Sequence, residues 1–336
     1  MLTKTKIENR NSSISLIRCV AMMFIVTCHF FQFYNNELAW WFNVGVQLFF
    51  CISGFLYGNK KIEDSIGFVL KNLKKILIPY FSFLFPCIIL YFIFAREYIS
   101  VSSVLKAVLC SGVIDGIGHL WFISYILFCY IITPFLHKFV YKIKKMKCVY
   151  VLILFVVVLL IGQVVFYAYN SYFLFSRISC YIIGYFLAFI LKQYGSIIFK
   201  RITWVFVIGA ITCNLFRIFV KYYLKQTFLG FSFFEQYAHV LLGVSIFLIL
   251  YVFLKSVRYN SFLAVTDKYS YYIYIVHQLL ILSPFSLMTL TNYMYLNWIL
   301  VLLGVFLLAM ALKFISDRIL LIVDKTENLF VGHISK

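Results

Sequence analysis

Charge is what this chain has least of. Only 12% of its 336 residues are Asp, Glu, Lys or Arg, and 11 acidic residues stand against 30 basic ones. A soluble protein of this size cannot cover itself with so few polar groups, because its outside must face water. Proline is almost as scarce. Pro79, Pro86, Pro134 and Pro284 are the whole set, and all four fall within or at the edges of apolar runs, where a kink or a helix end is tolerated in lipid. The nine cysteines show no C-x-x-C or metal-type spacing, so no metal site is expected and they read as small apolar side chains. Long linkers, low-complexity tracts and internal repeats are missing too. What remains is apolar: 64% hydrophobic, 21% aromatic, with a mean hydropathy of +0.97.

The apolar residues come in unbroken runs of about 17–22, long enough for helices to cross a bilayer and unlike the alternating segments of a barrel. The expected fold is an all-α polytopic transmembrane bundle, a single domain over 1–336. About ten spans are expected, at 14–33, 42–58, 76–95, 119–136, 148–169, 175–191, 202–220, 237–254, 269–287 and 295–312. With residues 1–13 and the tail 313–336 placed in the cytoplasm, the cytoplasmic segments hold 23 of the 30 Lys and Arg residues and the outer loops hold 4. That asymmetry follows the positive-inside rule. The net charge of +19 is thereby explained as topogenic, which excludes nucleic acid as a partner. No A-x-A site follows the first run, so span one is expected to be retained. The Trp40-Trp41 pair fits an interfacial aromatic belt.

Three features sit awkwardly in a plain bundle. Span one, "IRCVAMMFIVTCHFF", carries Arg18 and His29 eleven residues apart, which on a helix is three turns plus about 20° and a rise of about 16 Å. Both side chains therefore share a face, and intramembrane polar groups are costly enough to be partnered or functional. "KNLKKILIPY" at the entry of span three clusters Lys71, Lys74 and Lys75. This is either more positive-inside signal or a floor for phosphates. A phosphorylated ligand held there would send an arm towards His29. His119 and Trp121 open span four as an aromatic anchor, and His277 stands within "YSYYIYIVHQLL", where a lone histidine is most often a structural donor. "NVGVQLFFCISGFLYG" carries Ser53-Gly54 towards the end of span two, small enough for close helix contact.

Taken in order, these motifs resemble a known family. Arg-x10-His in span one, "GVQLFFCISGFL", "HLWF" at 119–122 and "YSYYIYIVH" at 269–277 are similar to the signatures of the acyltransferase 3 family of integral membrane acyltransferases. One departure is visible. Where that family usually shows Arg-x-x-Arg, this chain has Lys71-x-x-Lys74 followed by Lys75, keeping the charge and losing the bidentate fork.

The resemblance implies acyl transfer, with acetyl from cytoplasmic acetyl-CoA passed to a hydroxyl of a cell-surface polysaccharide, O-antigen or glycolipid precursor. No bound cofactor is implied, acetyl-CoA being a co-substrate. The setting would be a bacterial plasma (inner) membrane, with membrane lipids as surroundings. His29 would be the catalytic residue, deprotonating the hydroxyl or carrying the acyl group itself. Arg18, Lys71, Lys74 and Lys75 would bind the donor's phosphates. Candidate acceptor or supporting residues are His119, Trp121, Arg177, Arg217, Glu235, His239 and His277. Glu235 and His239 are an i, i+4 pair able to meet on one helix face, and Asp115 and His119 are likewise four apart. The alternative from another class is a polysaccharide flippase or exporter with no acyl-transfer chemistry. It offers no reason for the Arg-x10-His pattern.

Overall fold

A computed structural model describes residues 12–143, 172–224, 231–254 and 260–334, with isolated positions in 157–168 and 257–258. Among them every regular element is a helix. These are α1 (Ser12–Phe33), α2 (Leu38–Phe42), α3 (Val44–Gly58), α4 (Ser65–Phe94), α5 (Val101–Val108), α6 (Trp121–Ile143), α7 (Tyr172–Ile218), α8 (Phe231–Phe253), α9 (Ser261–Val276) and α10 (Met294–Ile334). Seven helical stretches of the described residues are long and apolar enough to cross a membrane. The all-α transmembrane class follows. The span expected at 148–169 lies outside the continuously described residues.

Helix ends differ from the apolar runs in four places, each for a local reason. A break at Asn43 separates α2 from α3. α4 starts at Ser65, well before the apolar run, because the Asp64 carboxylate accepts from the backbone N–H groups of Ile66 and Gly67, both at 3.0 Å, which is the usual solution for the unpaired donors of a first turn. The runs at 175–191 and 202–220 are joined in one helical stretch, α7, bent at Gly195 where φ is 76° and ψ is −176°. Only glycine adopts that conformation without strain. The run at 269–287 is not one helix: α9 stops at Val276, a 3-10 turn covers His277–Leu280, and turns follow. Ser283 precedes Pro284, and the residue before a proline is pushed away from helical geometry.

The chain gathers into two compact units, each built from separated stretches. The first comprises residues 1–25, 40–63 and 131–267. In it α3, α7 and α8 pack mutually. The α3–α7 contact is close because both helices offer glycine: a Cβ on Gly54 would stand 2.9 Å from Tyr185 N and run into Tyr181 O, and one on Gly184 would stand 3.0 Å from Cys51 Cα. The close contact expected at Ser53-Gly54 is therefore present. Around it Phe55, Phe199, Phe247 and Tyr251 form an aromatic cluster.

The second unit comprises residues 26–39, 64–130 and 268–336. Here α10 packs on α4, and the 3-10 turn after α9 packs on α10. Tyrosine hydroxyls tie the connecting segment to α4: Tyr80 donates to Ala107 O at 2.6 Å and Tyr91 to Asp115 O at 2.9 Å. In both units the described cysteines are unbridged.

Candidate active site

Three histidines that lie far apart in sequence meet in the second unit. His29 sits one turn before the end of α1, His119 in the 3-10 turn Gly118–Leu120 ahead of α6, and His277 directly after α9. Their ring centroids are 5.0 Å apart for His29 and His277, 4.6 Å for His119 and His277, and 6.3 Å for His29 and His119. No group of His, Cys, Asp or Glu among the described residues is arranged to hold a metal ion.

The hydrogen bonds place the proton on Nδ1 in two of the rings and engage both nitrogens of the third. His29 Nδ1 faces Gln32 Oε1 at 2.5 Å. An amide oxygen only accepts, so Nδ1 carries the proton and Nε2 keeps a lone pair. His119 is engaged at both nitrogens, Nδ1 with Gln278 Oε1 at 2.6 Å and Nε2 with Ile275 O at 2.9 Å. Gln278 Oε1 also accepts from the His119 backbone N–H, and Tyr274 Oη donates to His119 O at 2.5 Å. His119 thus faces an oxygen at each nitrogen and fastens the end of α9 to the start of α6. His277 Nδ1 donates to Tyr274 O at 2.6 Å. Its Nε2 has no hydrogen-bond partner among the described residues, although the residue is 0% exposed.

A second polar cluster belongs to the first unit. Arg177 and Arg217 are 1% and 2% exposed. Arg217 donates to Glu235 Oε1 at 3.0 Å and lies 3.5 Å over the Trp40 ring. His239 stacks against the same ring at 4.3 Å. Gln47 accepts from His239 Nδ1 at 2.8 Å and from Arg177, while its amide nitrogen donates to Asn43 O at 2.9 Å. Glu235 and His239 therefore engage Arg217 and Gln47, not each other, despite their i, i+4 spacing. Asp115 and His119 show the same separation: Asp115 Oδ1 accepts from Gly116 N and His119 is engaged as described.

The basic residues have definite places. Arg18 pairs with Asp267, whose other oxygen accepts from Ser15 at 2.5 Å. Lys74 pairs with Glu327 and stands 4.0 Å from Asp324, both on α10. Lys71 and Lys75 are exposed on α4. Trp121 begins α6, edge-on to Tyr125 at 5.1 Å. Sequence reasoning missed Gln32, Gln278, Gln47 and Asp267. For Gln32 and Gln278 the signal was a carboxamide near a histidine in an apolar run, and for Asp267 an acid near a span's end; Gln47 showed only as a carboxamide in an apolar run.

The acyltransferase-domain family model matches residues 11–318. This chain belongs to the acyltransferase 3 family. The match takes in all three clustered histidines, both buried arginines and most of the described helices. No curated protein and no solved structure matches the chain. The family and the apolar helices together make this a multi-pass membrane acyltransferase, acting between an acyl donor and an acceptor in a lipid setting.

Proposed function

We propose that the chain moves an acetyl group from cytoplasmic acetyl-CoA to a hydroxyl of a cell-surface polysaccharide, O-antigen or glycolipid precursor, in the plasma membrane of a bacterium with both termini cytoplasmic. The state of His29 carries this reading. Gln32 holds the proton on Nδ1, which leaves Nε2 as the lone pair that takes a hydroxyl proton or attacks a thioester carbonyl.

The donor's phosphates go to the basic residues. Arg18 precedes His29 by eleven residues on one continuous helix, a rise of about 16 Å that suits an extended pantetheine arm. Arg18 uses Nη1 for Asp267, and a guanidinium has five N–H donors, so others remain for a phosphate. Lys71, Lys74 and Lys75 supply further positive charge on α4. Acceptor recognition falls to the cluster of Arg177, Arg217, Glu235 and His239, gathered with Trp40 in the first unit. Replacing Glu235 and His239 together then lowers transfer, and unchanged transfer removes them from the acceptor site.

The test is transfer of label from acetyl-CoA in membranes bearing wild type, His29→Ala or Arg18→Ala. Both variants insert normally and lose transfer. Unchanged glycan acetylation in the His29→Ala strain overturns the catalytic assignment.

A further inference from the structure

Beside His29 stands a buried ring nitrogen that no hydrogen bond of the described residues uses. His277 is 0% exposed, its Nδ1–H is committed to Tyr274 O, and its Nε2 is a buried acceptor with no partner among the described residues. Leaving a buried polar atom unsatisfied is costly, so such an atom asks for a role. The neighbouring ring is His29 at 5.0 Å. His119, 4% exposed, has an oxygen within 2.9 Å of each ring nitrogen.

We propose that His277 is the second base of the site, removing the acceptor's hydroxyl proton while His29 carries the acyl group. This rests on the acetyl-transfer reading above. The chemistry divides as follows. His29 Nε2 attacks the thioester carbonyl carbon, a C–N bond forms, the C–S bond breaks, and coenzyme A leaves as a thiolate. The acyl group now occupies Nε2 and the Nδ1–H points at Gln32, so acylated His29 has no lone pair left to act as a base. His277 Nε2 then takes the proton from the acceptor O–H. The freed oxygen bonds to the acyl carbon, the C–N bond breaks, and its electron pair returns to His29 Nε2. The coenzyme A thiolate, released before the acceptor arrives, takes a proton from water, and His277 later returns the acceptor's proton to water, so that thioester and alcohol become ester and thiol with nothing left over.

The test separates the two halves. Full-length protein in membranes is mixed with acetyl-CoA labelled in the acetyl group, and release of coenzyme A thiol is followed as a burst without added acceptor. Transfer is then read on the glycan fraction extracted from the producing cells' envelope. His277→Gln keeps a donor for Tyr274 O and lacks a basic nitrogen. It is expected to give a stoichiometric burst and labelled enzyme, with transfer down roughly 100-fold or more, the size of a general-base contribution. His29→Ala is expected to give neither. If His277→Gln loses burst and transfer together, its role is structural and the proposal falls. It also falls if that variant transfers at the wild-type rate, or if wild type transfers without a burst. If wild type neither releases coenzyme A nor labels glycan, the acetyl-transfer reading itself has failed, whatever His277 does.

Discussion

Arg18 on α1 donates to Asp267 on α9 across 249 positions of sequence, and Ser15, one turn earlier on α1, donates to the same carboxylate. The side chains are 25% and 7% exposed, so the acid is the more deeply buried partner and depends on the arginine. Arg18→Ala is expected to destabilise the protein by about 1–3 kcal/mol, below the figure for a fully buried pair because water reaches the arginine. Thermal unfolding in detergent reads this. The exchanged pair Arg18→Asp with Asp267→Arg should regain stability but not transfer. Restored transfer would show that Arg18 only holds helices together.

Gln32 sets which nitrogen of His29 is available. Gln32→Ala should lower kcat roughly tenfold, a fraction of the 10²–10⁴ that a positioned base supplies, and leave KM for acetyl-CoA unchanged. Gln32→Glu keeps an acceptor at the same place and should retain most of the activity. Steady-state kinetics of both variants checks the orientation argument, and equal losses in the two would sink it.

The contact between α3 and α7 makes a stability prediction with its own control. Gly184→Ala places a methyl group against the Cys51 backbone, and such overpacking costs about 1–3 kcal/mol. Gly209→Ala, on the same helix with nothing within 4 Å of the added carbon, should be neutral or stabilising by up to about 1 kcal/mol. Melting temperatures of the two variants should therefore move in different directions.

Lys74 is held by Glu327 and Asp324 at the far end of α10. The lysine is 28% exposed and Glu327 53%, so the pairs contribute at most about 1 kcal/mol to stability. Their larger effect should be on donor affinity. Glu327→Gln is expected to lower KM for acetyl-CoA and Lys74→Ala to raise it, both effects shrinking between 0.05 and about 0.5 M salt as charges are screened. Salt-independent KM values would remove Lys74 from the donor site.

Membrane class was legible because apolar length and basic asymmetry report where a segment resides. They do not report its backbone. The run from 269 to 287 has the composition of a span, yet α9 ends at Val276 and a 3-10 turn and further turns follow, a change of backbone geometry that hydropathy does not register. That His29 shares a helix face with Arg18 was readable from their spacing along one helix. Its meeting with His119 and His277 was not, since no local period links residues 29, 119 and 277. Glu235 and His239 show the converse. Their spacing allowed contact, and tertiary partners drew each side chain elsewhere.

The early stop of α9 has a chemical consequence. The last carbonyls of a helix have no partner within it and need one wherever water is excluded. At this end, the carbonyls of Tyr274 and Ile275 are taken by His277 Nδ1 and His119 Nε2. The imidazoles are thus the caps that let a buried helix terminate, and by capping it they are locked into one protonation pattern. His277 keeps Nε2 bare because Nδ1 is spent on a helix end, so the backbone of α9 selects the tautomer on which the second base depends.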